Sequence, residues 1–193
     1  LVVSPTKMNV FYILGNEVGN PVDISVPGIP KDKLTAYCDN GKIVKKGSSW
    51  EVFPTKVGKA NISISAEIDG EKRSMGKTEF RVKRVPDPIA DFSVKLKNGK
   101  IKKNALLANS TKLIANMDDF DFDLKFNVVG FTLGATYNGD YQDYTVKGSR
   151  LDDRMKNLLK NLPKGTQIVI SNIYAKGPDK KQRNLGSLVV KLN

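Results

Sequence analysis

Apolar and polar residues alternate in short runs through the first half of the chain, and turn residues separate the runs. The clearest run begins at Ile62, where every second residue as far as Ile68 is apolar and the residues between are polar or charged. Runs of this kind predict strands at residues 9–14, 22–26, 34–38, 42–45, 50–53, 61–67 and 75–83. Seven strands at this spacing predict an immunoglobulin-like β-sandwich over residues 1–84, although the cysteine pair of a true immunoglobulin domain is missing.

The second half combines helix and strand patterns. A helix is predicted over residues 151–162, where Ser149 can cap the N-terminus and Pro163 follows the last turn. Its apolar stripe consists of Leu151, Met155, Leu158, Leu159 and Leu162. Strands are predicted at residues 167–175 and 188–192.

Three further segments of this half are less regular. Residues 92–96 and 100–103 flank an Asn98-Gly99 turn and predict a hairpin, whereas residues 104–117 suit either a short helix or two more strands. From Phe120 to Phe126, apolar and charged residues alternate and predict a long amphipathic strand. The fold class expected from the whole pattern is mainly β, with the sandwich followed by a smaller α+β domain at residues 85–193 that has one clear helix.

The seam between the two predicted domains lies in the sequence FRVKRVPDP, residues 80–88. Alternation through Phe80, Val82 and Arg84 is typical of a half-buried strand, and proline cannot donate a hydrogen bond to a strand ladder. The strand should therefore end before the prolines. We expect an interdomain hinge made of Val85, Pro86, Asp87 and Pro88.

Composition excludes several classes of function. The 193 residues contain no histidine, which removes the commonest general base and the commonest transition-metal ligand. The single cysteine, Cys38, ends a predicted strand and is interpreted as a small buried group. Glycine-rich phosphate-binding motifs are also missing. The chain is therefore predicted not to be an enzyme, with no cofactor and no metal.

The ends and the apolar content of the sequence also bear on its class. No apolar run approaches the roughly 20 residues that span a bilayer. Leu1 begins directly in a strand-like segment, with no initiator methionine and no signal peptide before it. We therefore interpret the sequence as a fragment of a longer protein.

One group of carboxylates invites comparison with a calcium loop. Asp119, Asp121 and Asp123 have the spacing with which an EF-hand loop begins, but Leu124 and Gly130 occupy the positions that need glycine and glutamate. A solvated or lysine-paired face of a strand is the alternative that the intervening aromatic residues favour.

Two segments of the second domain are candidate partner-binding surfaces. Tyr137, Tyr141 and Tyr144 surround an Asn138-Gly139 turn, where an ordinary hairpin with surface tyrosines is the alternative. A basic turn contains Lys176, Pro178, Lys180, Lys181 and Arg183. The net charge of +12 otherwise looks spread out, so a solvated surface, an acidic protein partner and nucleic acid all stay open. The lack of interleaved aromatic residues favours the prediction of no nucleic acid.

Several segments in order along the chain resemble one known family. They are VSPTKMNVFY near the start, FRVKRVPDP at the seam, FDFDLKFNVVGFTLG in the second half and NIYAKGPDKKQRNLGSLVVKL near the end. This sequence is similar to the C-terminal periplasmic region of the GldM (PorM) family, which belongs to the motor of gliding motility and type IX secretion.

The resemblance implies a function that the residue patterns alone do not give. Proteins of this family are anchored in the inner membrane and work there with GldL in a proton-driven motor. Their periplasmic part is expected to form a homodimer that reaches the GldK/GldN ring associated with the outer membrane. The resemblance therefore implies the periplasmic portion of an inner-membrane-anchored protein that acts as a non-catalytic shaft.

The alternative function comes from the predicted fold. A secreted or surface pair of immunoglobulin-like domains can bind carbohydrate or an adhesin ligand, and Trp50 is a possible aromatic platform for a sugar. An isolated tryptophan in a strand is more often a packing residue. The exposure of Trp50 separates the two interpretations.

Overall fold

The computed structural model describes residues 2–5, 9–117, 120 and 124–193, with only the backbone described for residues 2–5. The chain divides into two compact units, Leu1–Pro86 and Asp87–Asn193. The sequence predicts a division after residue 84 and a smaller second domain. The second unit is in fact the longer of the two in residues.

The first unit is built from two four-stranded sheets. Its strands are β1 Val2–Pro5, β2 Val10–Ile13, β3 Asn20–Ser25, β4 Leu34–Cys38, β5 Lys42–Lys46, β6 Ser49–Phe53, β7 Gly58–Ile68 and β8 Glu71–Arg84. One sheet has the order β1-β3-β6-β5 and the other β2-β8-β7-β4. Seven of these strands coincide with the predicted ones, and β1 was not predicted. The mainly β, immunoglobulin-like fold class is confirmed.

The core of the first unit follows from the alternation in its strands. Ile62, Ile64 and Ala66 are fully buried along β7, and the rings of Phe11 and Phe80 stack with 4.5 Å between centroids. Cys38 is also buried, as expected, and burial raises the pKa of its thiol, although a backbone hydrogen bond at Asn40 acts in the opposite direction. The thiol therefore stays protonated and unreactive.

The second unit is built around one larger sheet. Its strands are β9 Ile89–Phe92, β10 Lys100–Ile101, β11 Leu113–Asn116, β12 Asn127–Tyr137, β13 Asp140–Lys147, β14 Gln167–Lys176, β15 Gln182–Asn184 and β16 Leu188–Leu192. Its helices are α1 Lys103–Leu107 and α2 Asp153–Asn161. The main sheet has the order β10-β16-β14-β12-β13, with β15 beside β14, and β9 pairs separately with β11.

Helix α2 covers one face of this sheet. Met155, Leu158 and Leu159 are buried against a core that includes Leu133 and Ile170. The predicted helix is confirmed, but its start is not, because the Asp152 side chain rather than Ser149 caps it. The Met155 backbone N–H donates to Asp152 Oδ1 at 2.9 Å.

The pairing of residues 92–103 differs from the prediction. Strand β9 pairs with β11, and β10 joins β16 in parallel, so the predicted hairpin is wrong. Only a backbone bridge between Lys97 and Lys100 encloses the Asn98-Gly99 turn. Residues 104–117, whose sequence suits either a helix or two strands, contain most of the short helix α1 and then β11.

Candidate partner-binding surfaces

The tyrosine hairpin forms as its sequence predicts. Strands β12 and β13 are joined by Asn138 and Gly139, whose φ values of 52° and 88° are both positive. That combination defines the two-residue turn whose twist matches a β-hairpin, and Asn-Gly is its preferred sequence. Tyr137 pairs with Asp140 directly across the turn.

The three tyrosines of this hairpin do not share one surface. Tyr144 lies opposite Leu133, on the core side of the sheet, and both Tyr144 and Tyr137 pack partly buried against the core. Tyr141 lies opposite Thr136 on the other face and is 58% exposed. Because successive side chains of a strand point to opposite faces, Tyr141 lies apart from the other two, and the role of the three tyrosines in partner binding stays a prediction.

The basic turn after β14 is held by an ion pair that is nearly buried. Arg183 Nη2 lies 2.7 Å from Asp179 Oδ2, and the two side chains are only 13% and 11% exposed. The guanidinium carbon of Arg183 also lies 4.8 Å from the centroid of the Phe126 ring. Arg183 therefore stabilises the turn and is not an exposed cation.

The other members of the basic turn are more accessible. Lys176, Lys180 and Lys181 are exposed, and Pro178 is half-buried. The Lys181 backbone N–H donates to Asp179 Oδ1 at 3.2 Å. The turn therefore presents lysine side chains outward while Asp179 and Arg183 hold its backbone in place.

The hairpin tip and the basic turn lie at opposite ends of the same sheet. Asn127, at the start of β12, pairs with Lys176, whereas Ala135, near its end, pairs with Ile168. Eight residues of strand separate these pairs, which corresponds to roughly 27 Å at about 3.4 Å per residue. A single small contact cannot include both.

The predicted hinge residues lie between two strands. Strand β8 ends at Arg84 and β9 begins at Ile89. Val85 and Pro88 are buried, and Pro86 and Asp87 are exposed. Asp87 Oδ1 lies 3.6 Å from Arg183 Nε within the second unit. The role of this segment as a hinge stays a prediction.

A third candidate surface is not predicted from the sequence. Six lysines line two adjoining cavities of about 640 and 300 Å³ in the second unit. We call this set the lysine corner, and its members are Lys95, Lys97, Lys100, Lys102, Lys103 and Lys164. A signal was present, because the sequence between Asp91 and Asp118 contains six lysines and no acidic residue.

The predicted amphipathic strand and its carboxylates lie largely outside the described residues. Asp119, Asp121 and Asp123 lie outside the described residues, as does Phe122 of the predicted amphipathic strand. In the described part of the chain, no three cysteine, aspartate or glutamate side chains gather as a metal site requires. Helices α1 and α2, the helices of the described residues, lack the length and apolar content to cross a bilayer.

Trp50 is a core residue of the first unit. Its side chain is 6% exposed, and Lys45 Nζ lies 5.5 Å from the ring centroid. The packing interpretation of Trp50 therefore agrees with the structure. A sugar needs access to the face of an aromatic ring, and this ring does not offer it.

Three solved structures show weak similarity to the chain. The fibronectin(III)-like modules of CbhA from Clostridium thermocellum are 15% identical, with 99% of this chain and 95% of that chain covered and a TM-score of 0.30. The adhesin InvE of Yersinia pseudotuberculosis is 14% identical over 99% and 57%, with a TM-score of 0.28. Human mucin-like protocadherin EC1-2 is 14% identical over 100% and 98%, with a TM-score of 0.29. TM-scores this low assign neither a family nor a function to the chain.

The chain is weakly similar to one curated protein, whereas two family models cover almost its whole length. The transcription elongation factor GreA of Clostridioides difficile (strain 630) is 24% identical over 120 residues, 62% of this chain and 74% of that protein. Similarity at this identity assigns no function to the chain. The GldM third domain matches residues 1–83, and the GldM C-terminal domain matches residues 86–193. Because these two consecutive domains account for nearly every residue, the chain belongs to the GldM family of gliding motility and type IX secretion.

Proposed function

We propose that the chain is the non-catalytic periplasmic shaft of a proton-driven gliding and type IX secretion motor. The observation that carries this proposal is the match of two consecutive GldM domains to residues 1–83 and 86–193. Proteins of the family are anchored in a membrane, and their C-terminal region is periplasmic. In this proposal, contact with GldL in the inner membrane belongs to parts of the family's proteins outside the two matched domains.

The second unit is the part that we propose to contact the GldK/GldN ring. Its described surface presents exposed lysines at the basic turn, an exposed Tyr141 and the lysine corner. Aromatic side chains are enriched at protein interfaces, and clustered charge provides partner selection. The proposed shaft also acts as a homodimer, because a shaft made of small β domains gains stiffness from pairing.

Pull-down of the chain with purified GldK and GldN tests the ring contact. We expect the chain to retain the ring proteins at about 0.15 M salt, where surface attraction is already screened beyond about 8 Å. Sedimentation velocity on the chain alone tests pairing and should show a dimer at micromolar concentration. No retention of either ring protein at saturating concentrations contradicts the ring contact, and a monomer contradicts the pairing.

The alternative, a surface module that binds carbohydrate or an adhesin ligand, depended on an exposed aromatic platform. Trp50 is buried in the core instead. Acrylamide quenching of the single tryptophan checks this in solution, because a buried indole is poorly quenched. Strong quenching, together with protection by a sugar ligand, would restore the alternative.

A further inference from the structure

The lysine corner combines like charges with an apolar floor. In the larger cavity, the side chains of Lys95, Lys97, Lys100 and Lys102 are exposed. The floor between them contains Ile101, which is 1% exposed, together with the partly buried Leu96 and Ala105. Both the larger cavity and its neighbour include Lys102, so the two form a continuous cationic rim.

The lysines of this corner have no acidic side chain beside them. Among the described residues, no aspartate or glutamate side chain lines either cavity, although Asn193, the last residue of the sequence, lines both and brings its backbone carboxylate close to the lysines. Lys100 pairs directly with Lys191 across β10 and β16, which places two like charges on neighbouring strands. Like charges at such positions destabilise a sheet. An anionic ligand that binds here relieves this repulsion, so the arrangement favours the binding of an anion.

Part of the corner is held in place by the fold. The Lys103 ammonium donates to the carbonyl oxygens of Lys160 at 2.9 Å and Leu162 at 2.7 Å. These carbonyls lie at the C-terminal end of α2, where a cation satisfies groups that have no helical partner. This link holds the start of α1 against the end of α2, beside the smaller cavity that Lys103 lines.

We propose that the lysine corner binds an extended acidic segment of a partner protein, with carboxylates at the lysine rim and an apolar side chain on the Ile101 floor. This inference rests on the proposed function, because it assigns the lysine corner as a contact surface of the second unit. The recessed apolar floor sets a requirement beyond charge, since a side chain must enter the cavity to reach it. Acidic residues next to an apolar one meet both requirements.

Other anionic ligands fit the corner less well. The lining contains no arginine, whose planar group gives the bidentate contacts typical of phosphate sites. It contains no aromatic residue on which a nucleic-acid base can stack. Among the described residues, the exposed large apolar side chains lie elsewhere, so the corner lacks an anchor that enters a membrane.

Titration with a fluorescein-labelled peptide of glutamates around one central leucine tests the proposal. The test variant is Lys97→Glu/Lys100→Glu/Lys102→Glu, and the control is Lys33→Glu/Lys56→Glu/Lys72→Glu, which changes the net charge equally in the first unit. We expect the test variant to bind about tenfold more weakly or worse, and the control to change binding by less than about threefold. Amide chemical shifts should change around residues 95–105.

Several results would overturn the proposal. One is equal weakening in the two variants, and another is equal binding of a peptide with glutamine in place of glutamate. A third is binding of anionic vesicles or inorganic phosphate with no binding of the acidic peptide. If the test variant loses its far-UV circular dichroism, Lys97→Gln/Lys100→Gln/Lys102→Gln replaces it, with a smaller expected loss in the same direction.

The ring pull-down separates this inference from the proposed function. If the wild-type chain and the test variant both retain GldK and GldN, the corner is not the ring contact, and the proposed function stands. If the wild-type chain retains neither protein, the proposed function fails. The peptide titration still decides whether the corner binds acidic segments.

Discussion

The two units use their sheets in different ways. In the first unit, two sheets form one core, and even the single tryptophan is buried in it. In the second unit, α2 packs on one face of the main sheet, while Tyr141 and Val189 stay 58% and 53% exposed on the other. The first unit therefore buries Trp50, Phe11 and Phe80 between two sheets, and Tyr37 is its exposed large aromatic side chain, at 66%. The second unit covers one face of its main sheet with a helix and leaves Tyr141 and Val189 accessible on the other face.

The largest expected effects on stability come from substitutions that disrupt the core of each unit separately. Phe80 and Phe131 are each 1% exposed, one in each unit, so Phe80→Ala and Phe131→Ala should each lower the free energy of unfolding by about 3–5 kcal/mol. Urea unfolding followed by Trp50 fluorescence reports the first change, and circular dichroism reports the second. Tyr141→Ala is the exposed control and should cost less than about 1 kcal/mol. An equal cost at Tyr141 would show that its face is covered.

The next effect concerns the basic turn, where a nearly buried arginine differs from exposed lysines. Arg183→Ala leaves the Asp179 carboxylate without its 2.7 Å partner and should destabilise the second unit by about 2–3 kcal/mol. Lys181→Ala, in the same turn, should change stability by less than about 0.5 kcal/mol. Thermal unfolding measures both. Similar values for the two variants would refute the structural role of Arg183.

A pair of glycines compares the basic turn, which contains Gly177, with the exposed face of the second sheet, where Gly134 lies in β12. A Cβ on Gly177 would overlap the Phe126 ring, which is only 8% exposed, whereas one on Gly134 would meet mainly the end of the exposed Tyr141 side chain. Tyr141 can move into solvent, and Phe126 cannot. Gly177→Ala should therefore cost about 1–2 kcal/mol and Gly134→Ala less. Chemical denaturation of both variants should give this order, and the reverse order would contradict it.

The smallest expected effect is at the start of α2. Burial raises the pKa of Asp152, but hydrogen bonds from the Met155 N–H and from Arg154 outweigh it, so the pKa lies below the ordinary value of 3.8. Asp152→Ala should cost about 1 kcal/mol at neutral pH, and Asp152→Asn much less, because asparagine also caps helices.

The pH dependence of this cap follows from the sign of the shift. A lowered pKa in the folded state gives stability that is present above pH 3.8 and is lost as the pH falls through the folded-state value. The free energy of unfolding of the wild type should therefore decrease relative to that of Asp152→Asn as the pH falls. Thermal unfolding between pH 7 and pH 3 measures it, and a constant difference would show that the charge of Asp152 does not contribute.

The local parts of the fold were predictable from the sequence. Alternation within a strand and the Asn138-Gly139 turn depend on neighbouring residues, so both appear in a single sequence. The pairing of β10 did not appear, because its partner β16 lies about 90 residues further along the chain. A two-residue strand also has too few positions to show a period.

The candidate surfaces were less predictable for the same reason. The burial of Arg183 depends on Phe126, which is distant in sequence and becomes its neighbour only in the folded sheet. The lysine corner combines residues 95–103 with Lys164, and only its first part is continuous. The run of lysines without acidic residues is apparent in the sequence, but the apolar floor of the cavity is apparent only in the folded structure.

Hydrogen–deuterium exchange on the chain with and without the GldK–GldN complex tests the central claim most directly. That claim is that the second unit binds the ring while the first unit serves as a structural element. We expect slower exchange within residues 87–193, including residues 95–105. We expect unchanged exchange in β7 and in the other strands of the first unit. Slower exchange confined to residues 1–86, or no change at saturating complex, would contradict it.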